Sequence, residues 1–262
     1  KVYNDAASIW EAMRDEQAIL VRASWLLKRA GYEEGEVEME DSDKKVPGWV
    51  LRREAAPLPH RSQIEKDHPE AIMPVEECEA GHAKMREVTA KAKGFGKCET
   101  NEAERAALDA VPVLVASHCW ETPDHPDPEA RTLRALAEAL AGTWGDWIGD
   151  PRPESGLPLY RAWGLSDVGV FVDWASLYQK PRSDAQAACF GRALANMSLW
   201  YAHRLTTVLL VWGQDAHLRE YEKDASGALQ RTERPNERAG RGWPYYEQAA
   251  TPAPRTPLSL PS

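Results

Sequence analysis

The stretch VPVLVASHCWETPDHPD, Val111 to Asp127, decides how the rest of the chain is read. Its opening run, Val111-Pro112-Val113-Leu114-Val115-Ala116, is apolar and ends abruptly at Ser117, His118, Cys119, Trp120 and Glu121. A short apolar run bounded in this way reads as a buried strand whose carboxyl end opens into a functional loop. Asp127-Pro128 then reads as a helix N-cap followed by proline at the first helical position. The helix expected behind it runs to about Ala141, with Leu133, Leu136 and Leu140 at helical spacing. Strand, loop and helix in that order form the opening unit of an open α/β sheet, where ligands sit beyond the carboxyl ends of the strands.

The unit repeats downstream. Val168 to Val172 reads as a second buried strand ending in Asp173 and the loop Trp174-Ala175-Ser176-Leu177-Tyr178-Gln179. Ser183 with Gln186 makes a capping box for a helix reaching about His203, and Thr206 to Trp212 is a third strand. Alternation of this kind implies a parallel sheet with helices on both faces.

The first 110 residues read differently. Asn4-Asp5 caps a helix expected to reach Ala30, with Ile9, Trp10, Met13, Ile19, Leu20, Leu26 and Leu27 on its apolar face. Glu33 to Asp43 is acidic and lacks the register of a calcium loop, so it reads as a solvated charge run. Pro74 opens a helix over Val75 to Lys93, stopped by Gly94. Cys78 and His82 lie one turn apart on it without a second ligand pair, so no metal is expected. Gly94-Phe95-Gly96-Lys97 lacks the strand and hydroxyl of a phosphate loop. The expected organisation is a helical extension over 1–110, an α/β domain over 111–250 and a proline-rich tail over 251–262 without regular structure.

Composition excludes some functions. A net charge of −9, from 32 basic and 41 acidic side chains, argues against nucleic acid or an anionic membrane as the main partner. No apolar run is long enough to span a bilayer. The four cysteines have no paired spacing, which suits free thiols in a reducing compartment, the cytoplasm favoured. The chain starts at Lys1 without a methionine, so a removed targeting segment, and with it an organelle, stays open. Eleven tryptophans exceed what packing requires; Trp120, Trp174, Trp212 and Trp243 fall at the ends of expected elements.

The order of these features resembles a Toll/interleukin-receptor (TIR) domain, itself an open flavodoxin-like sheet. It runs from the strand with Ser117-His118-Cys119-Trp120 through Asp173 and Met197-Ser198 to Trp243-Pro244-Tyr245-Tyr246-Glu247. In that family a tryptophan, a cysteine, two variable residues and a glutamate close the motif, and the glutamate is catalytic in members that cleave NAD. Here the spacing from Trp243 to Glu247 is kept, with Pro244 in place of the cysteine. The phrases SHCWETPDHPDP, VFVDWASLYQKPR and RGWPYYE are also similar to a set of uncharacterised dinoflagellate and other microalgal proteins. The chain departs from the TIR pattern after Glu247, where two further strands are due and a proline tail follows. The sheet is therefore truncated, or completed by the first half of the chain or by a partner.

Two functions follow. The one favoured is a non-catalytic binding or scaffold subunit acting through protein partners, in a large assembly or by self-association. Surplus tryptophans, the amphipathic first helix and the tail support it, and no cofactor is implied. The alternative is an N-glycosidic hydrolase with NAD or a nucleotide as substrate. That reaction needs a carboxylate near the developing oxocarbenium ion and an apolar platform for a flat base. Glu247 or Asp173 would be the carboxylate and Trp120 or Trp174 the platform, with Ser117, His118 and Ser176 lining the site. Ser117 and His118, adjacent on one strand end, point to opposite faces and cannot pair as nucleophile and base.

Overall fold

The computed structural model describes residues 2–39, 42–94, 111–118, 120–122, 124–142, 156–212, 219–223, 229–235 and 257–259. The described helices are α1 (Ala7–Arg14), α2 (Ala23–Arg29), α3 (Arg61–Asp67), α4 (Val75–Gly94), α5 (Arg131–Ala141), α6 (Gly156–Ala162), α7 (Asp173–Ser176), α8 (Asp184–Ala195) and α9 (Met197–Ala202). The strands are β1 (Leu20–Arg22), β2 (Tyr32–Met39), β3 (Ser42–Leu51), β4 (Ile72–Met73), β5 (Val113–Ser117), β6 (Gly169–Val172), β7 (Thr207–Trp212), β8 (Arg219–Lys223), β9 (Leu229–Pro235) and β10 (Pro257–Ser259).

Six strands form one mixed sheet in the order β10-β7-β5-β6-β1-β4. β5 lies parallel to β6 and β7, and β7 parallel to β10, whereas β1 runs antiparallel to β6 and β4. Every residue of β5 and β6 is buried, as continuous apolar strands of a sheet covered on both faces require. Alternation divides them between two layers. Val113, Val115, Phe171 and Leu20 pack with Ile9 and Trp10 of α1, Cys78 of α4, and Trp200 and Tyr201 of α9. Leu114, Ala116, Val170, Val172 and Val21 pack with Leu26 and Leu27 of α2, Ile64 of α3, and Leu133, Leu136 and Leu140 of α5. The α/β class and the helices on both faces are as the sequence implies. The Ser183–Gln186 capping box is present at α8.

Other expectations are corrected. The first 110 residues are not a purely helical extension: they supply β1 and β4, so strands from both sides of Val111 share the sheet. The single helix expected to reach Ala30 is broken into α1, β1 and α2. The break is fixed at Glu16, which adopts a left-handed φ of 57° and whose carbonyl accepts from Arg61 Nη1 (2.9 Å) and Cys189 Sγ (2.8 Å). Past it, Leu20 and Val21 pair with β4 and Val21 with Val170 of β6. Gly169 permits this, because a Cβ there would lie 2.7 Å from Leu20 Cδ1.

The acidic run from Glu33 is no loop. It is half of the antiparallel β2–β3 ribbon, with Tyr32 opposite Leu51 and Val37 opposite Val46. Val37 folds over Gly48, where a Cβ would come within 2.6 Å of Val37 Cγ2. Tyr32 and Trp49 root the ribbon in the core, and Arg161 of α6 pairs with Glu34 at 2.9 Å. The polar stretch after β7 contains a second antiparallel pair, β8–β9. The tail, expected to lack regular structure, contributes β10, registered with Pro257 beside Leu210. The helix expected from Pro128 starts at Arg131, after Ala130 in a left-handed conformation at φ 55°. The helix expected to reach His203 is interrupted at Asn196 between α8 and α9.

Candidate functional site

The parallel strands β5 and β6 end side by side, bringing His118 and Trp120 up to Asp173. Asp173 opens the single turn α7 and takes the N–H of Trp174 on Oδ1 at 2.6 Å. Its Oδ2 accepts from Trp120 Nε1 at 2.9 Å. His118 Nε2 lies 3.8 Å from Oδ1, an ion-pair distance when the ring is protonated but beyond a hydrogen bond. One carboxylate thus joins the loops that follow two neighbouring strands.

Trp174 is the aromatic centre. Its indole N–H donates to the Leu58 carbonyl at 2.8 Å, bringing the segment before α3 over the strand ends. The Trp120 ring stands edge-on to it at 5.4 Å between centroids, His125 lies at 4.8 Å and His60 at 5.8 Å. Such edge-to-face pairs add about 0.5–1.5 kcal/mol beyond the area they bury. Burial lowers the pKa of both His60 and His125, the latter also feeling His118 and His60 and pulled the other way by Asp127 and a hydrogen bond to Leu58. His125 Nδ1 accepts from the Asp127 N–H at 2.9 Å, so its proton is on Nε2, toward the Leu58 carbonyl.

Beneath this layer the loop from Glu121 to Asp127 is cross-tied. Glu121 N–H donates to the Pro126 carbonyl (2.8 Å), and Thr122 and His125 exchange bonds through the Thr122 hydroxyl. Asp127 Oδ2 accepts from Leu133 N–H at 2.8 Å. Asp127 therefore still caps α5, reaching in from farther back than an N-cap residue. Glu121 is buried, with Arg131 Nη1 3.5 Å from its Oε2. Burial first, and Asp127 next, push its carboxyl up to about 7.

Of the residues singled out in the sequence, His118, Trp120, Asp173 and Trp174 come together. Ser117 is fully buried and, by strand alternation, shares a face with Val113 and Val115, opposite to His118. Ser176 is also fully buried, its hydroxyl accepting the Val172 N–H at 3.0 Å and its carbonyl the Ile19 N–H at 3.1 Å. Both serines sit behind this cluster. Glu247, Trp243 and Cys119 lie outside the described residues, as do the side chain of Trp212 and the Gly94-Phe95-Gly96-Lys97 segment past Gly94. Sequence reasoning missed His60, His125, Glu121 and Asp127 as parts of the site. Three of them were within the quoted stretch; His60 carries no local signal.

Cys78 is sealed in the core, where burial pushes its thiol up to about 12, and His82 lies against Trp10. Among the described residues no group of three or more His, Cys, Asp or Glu side chains converges to hold a metal ion. No described helix is long and apolar enough to cross a membrane. No family model matches the chain, and no curated protein or solved structure is significantly similar to it.

Proposed function

We propose that the chain is a TIR-like binding or scaffold domain that acts through protein partners and whose residue cluster at the carboxyl strand ends is built for recognition rather than turnover. The observation that carries this reading is the state of Asp173. Its two oxygens are occupied by the Trp120 indole and the Trp174 amide, so it ties loops together where a glycosidic carboxylate would face its substrate. The tryptophans likewise pack edge-to-face on each other, and Trp174 also packs edge-to-face on His60 and at a tilt on His125. The strand order supports the TIR-like part. Numbered along the chain, β5, β6, β7 and β10 stand in the order 2-1-3-4, the beginning of the flavodoxin-like order. β1 and β4 then extend the sheet beyond β6.

The test pairs two measurements on the full chain. Sedimentation velocity from micromolar to hundred-micromolar concentration reads self-association. Incubation with NAD reads nicotinamide release, beside a Glu247→Ala control. Concentration-dependent association without release is the expected outcome. Release that disappears in the Glu247→Ala protein would overturn the scaffold reading and establish the hydrolase.

A further inference from the structure

We propose that Glu121 and Asp127 share one proton, and that this carboxyl–carboxylate hydrogen bond is a pH-sensitive clasp on the loop that packs against Trp174. The inference stands whether the domain only binds or also hydrolyses. Both side chains are more than nine-tenths buried, and each leaves one oxygen, Glu121 Oε1 and Asp127 Oδ1, without a donor. Two buried carboxylates with unsatisfied oxygens are costly unless one is protonated and donates to the other. The remaining oxygens have partners: Asp127 Oδ2 takes the Leu133 N–H, and Glu121 Oε2 faces Arg131.

The charged groups around the pair favour a proton held by Glu121. Asp127 and Glu129 raise its affinity for the proton, and Arg131 opposes them. Arg131 is itself shared, since its Nη2 also bonds Glu129. Burial lowers the His125 pKa, which disfavours a cation on that ring beside the pair. The Glu121 N–H bond to the Pro126 carbonyl (2.8 Å) holds the two residues' ends of the loop together, and Asp127 adds to burial in raising the Glu121 pKa to about 7. A metal bridge is a poorer solution, with a guanidinium at 3.5 Å and no third ligand among the described residues.

The consequence is mechanical. Glu121 and Asp127 close the two ends of the loop that carries His125 against Trp174, and Trp120 directly precedes it. Ionising Glu121 sets two buried anions against each other, drives the loop ends apart and loosens Trp120 and His125 from Trp174. The sign follows from a folded pKa above the unfolded value. Stability from the clasp is full below about 4.5, falls as pH rises through the interval to about 7, and is lost above it. A shift from 4.5 to about 7 corresponds to at most about a 300-fold fall in the folded-to-unfolded ratio.

The experiment compares the wild-type chain with Glu121→Gln, whose amide donates to Asp127 at every pH. Hydrogen exchange of peptides spanning residues 120–133 is followed by mass spectrometry from pH 5 to 8.5, corrected for intrinsic rates. Wild-type protection should fall through neutrality while the Glu121→Gln protein stays flat; a Glu129→Gln protein should lose protection at lower pH than the wild type, because it removes a charge that favours the Glu121 proton. Identical profiles for wild type and Glu121→Gln would overturn the proposal, as would protection that follows added calcium rather than pH. Should Glu121→Gln fail to fold, the carboxyl carbon-13 titration of Glu121 in the wild type decides. A midpoint near 7 supports the clasp, and one near 4.5 refutes it.

Discussion

Replacing Asp173 by asparagine separates a carboxylate that holds the fold from one that does chemistry. Asp173 accepts two N–H groups, from the Trp174 backbone at 2.6 Å and the Trp120 indole at 2.9 Å. Asparagine has nearly the same shape but only one acceptor, so whichever way its amide turns, an N–H faces one of these donors. The variant loses one charge-assisted bond, about 1.5–3 kcal/mol, and its remaining bond becomes a weaker neutral one. The side chain is 20% exposed, so water partly replaces what is lost. Together these give a destabilisation of about 2–4 kcal/mol, or roughly 4–16 °C in Tm at about 2–4 °C per kcal/mol for a chain of this size.

Urea unfolding by far-UV circular dichroism measures it, and Trp120→Phe, which keeps an aromatic ring of smaller size and removes the donor, completes a double-mutant cycle. The two single changes disrupt the same bond, so the double variant should fall short of their sum by about 1–3 kcal/mol. Additive effects, or an Asp173→Asn protein as stable as the wild type, would refute the structural role and return Asp173 to candidacy as a working carboxylate.

Two further predictions address how the first half of the chain joins the sheet. Gly169→Ala places a methyl 2.7 Å from Leu20 Cδ1 and 3.0 Å from Leu20 Cβ across the β1–β6 seam, and should cost about 1–3 kcal/mol in thermal unfolding. Adding Leu20→Ala should not deepen that loss in proportion, because the two changes share one contact. Arg61→Ala should cost about 3–5 kcal/mol in urea unfolding, because it leaves Glu65, the Glu16 carbonyl and the face of Tyr178 without their buried cation. Arg61→Lys should recover only part of this, since one ammonium cannot span the Glu65 and Glu16 directions as a guanidinium does.

The parts of the fold legible in the sequence are those set by local pattern. Val113 to Ser117 and Gly169 to Val172 are continuous apolar runs with abrupt polar ends, and both are buried parallel strands. The Ser183–Gln186 box is a signal contained in four residues. What was not legible depended on distant partners. Ile19, Leu20 and Val21 satisfy a helical stripe as well as a strand, since a short apolar run has no period of its own. The choice is made by Gly169, nearly 150 residues away, and by Arg61 and Cys189 holding the Glu16 carbonyl. The acidic run reads as solvated loop because its charges hide the ribbon pattern of Val37, Val46 and Val50 around Gly35 and Gly48.

The candidate site divides along the same line. Asp173 and Trp120 were found because strand ends in such sheets concentrate chemistry, a rule that needs no knowledge of contacts. The same rule gave no warning that the two side chains would spend their polar groups on each other. Glu121 and Asp127 looked unremarkable six residues apart, one an ordinary acid and the other a helix cap. Burial changes their meaning, because in water each carboxylate is satisfied separately, whereas beneath Trp174 the pair has one cation at 3.5 Å and a shortage of donors. A missing donor cannot be read from residue types; it is a property of the enclosure. For that reason the loop packed against Trp174, rather than the strand ends themselves, is where a pH dependence of this domain is expected to arise.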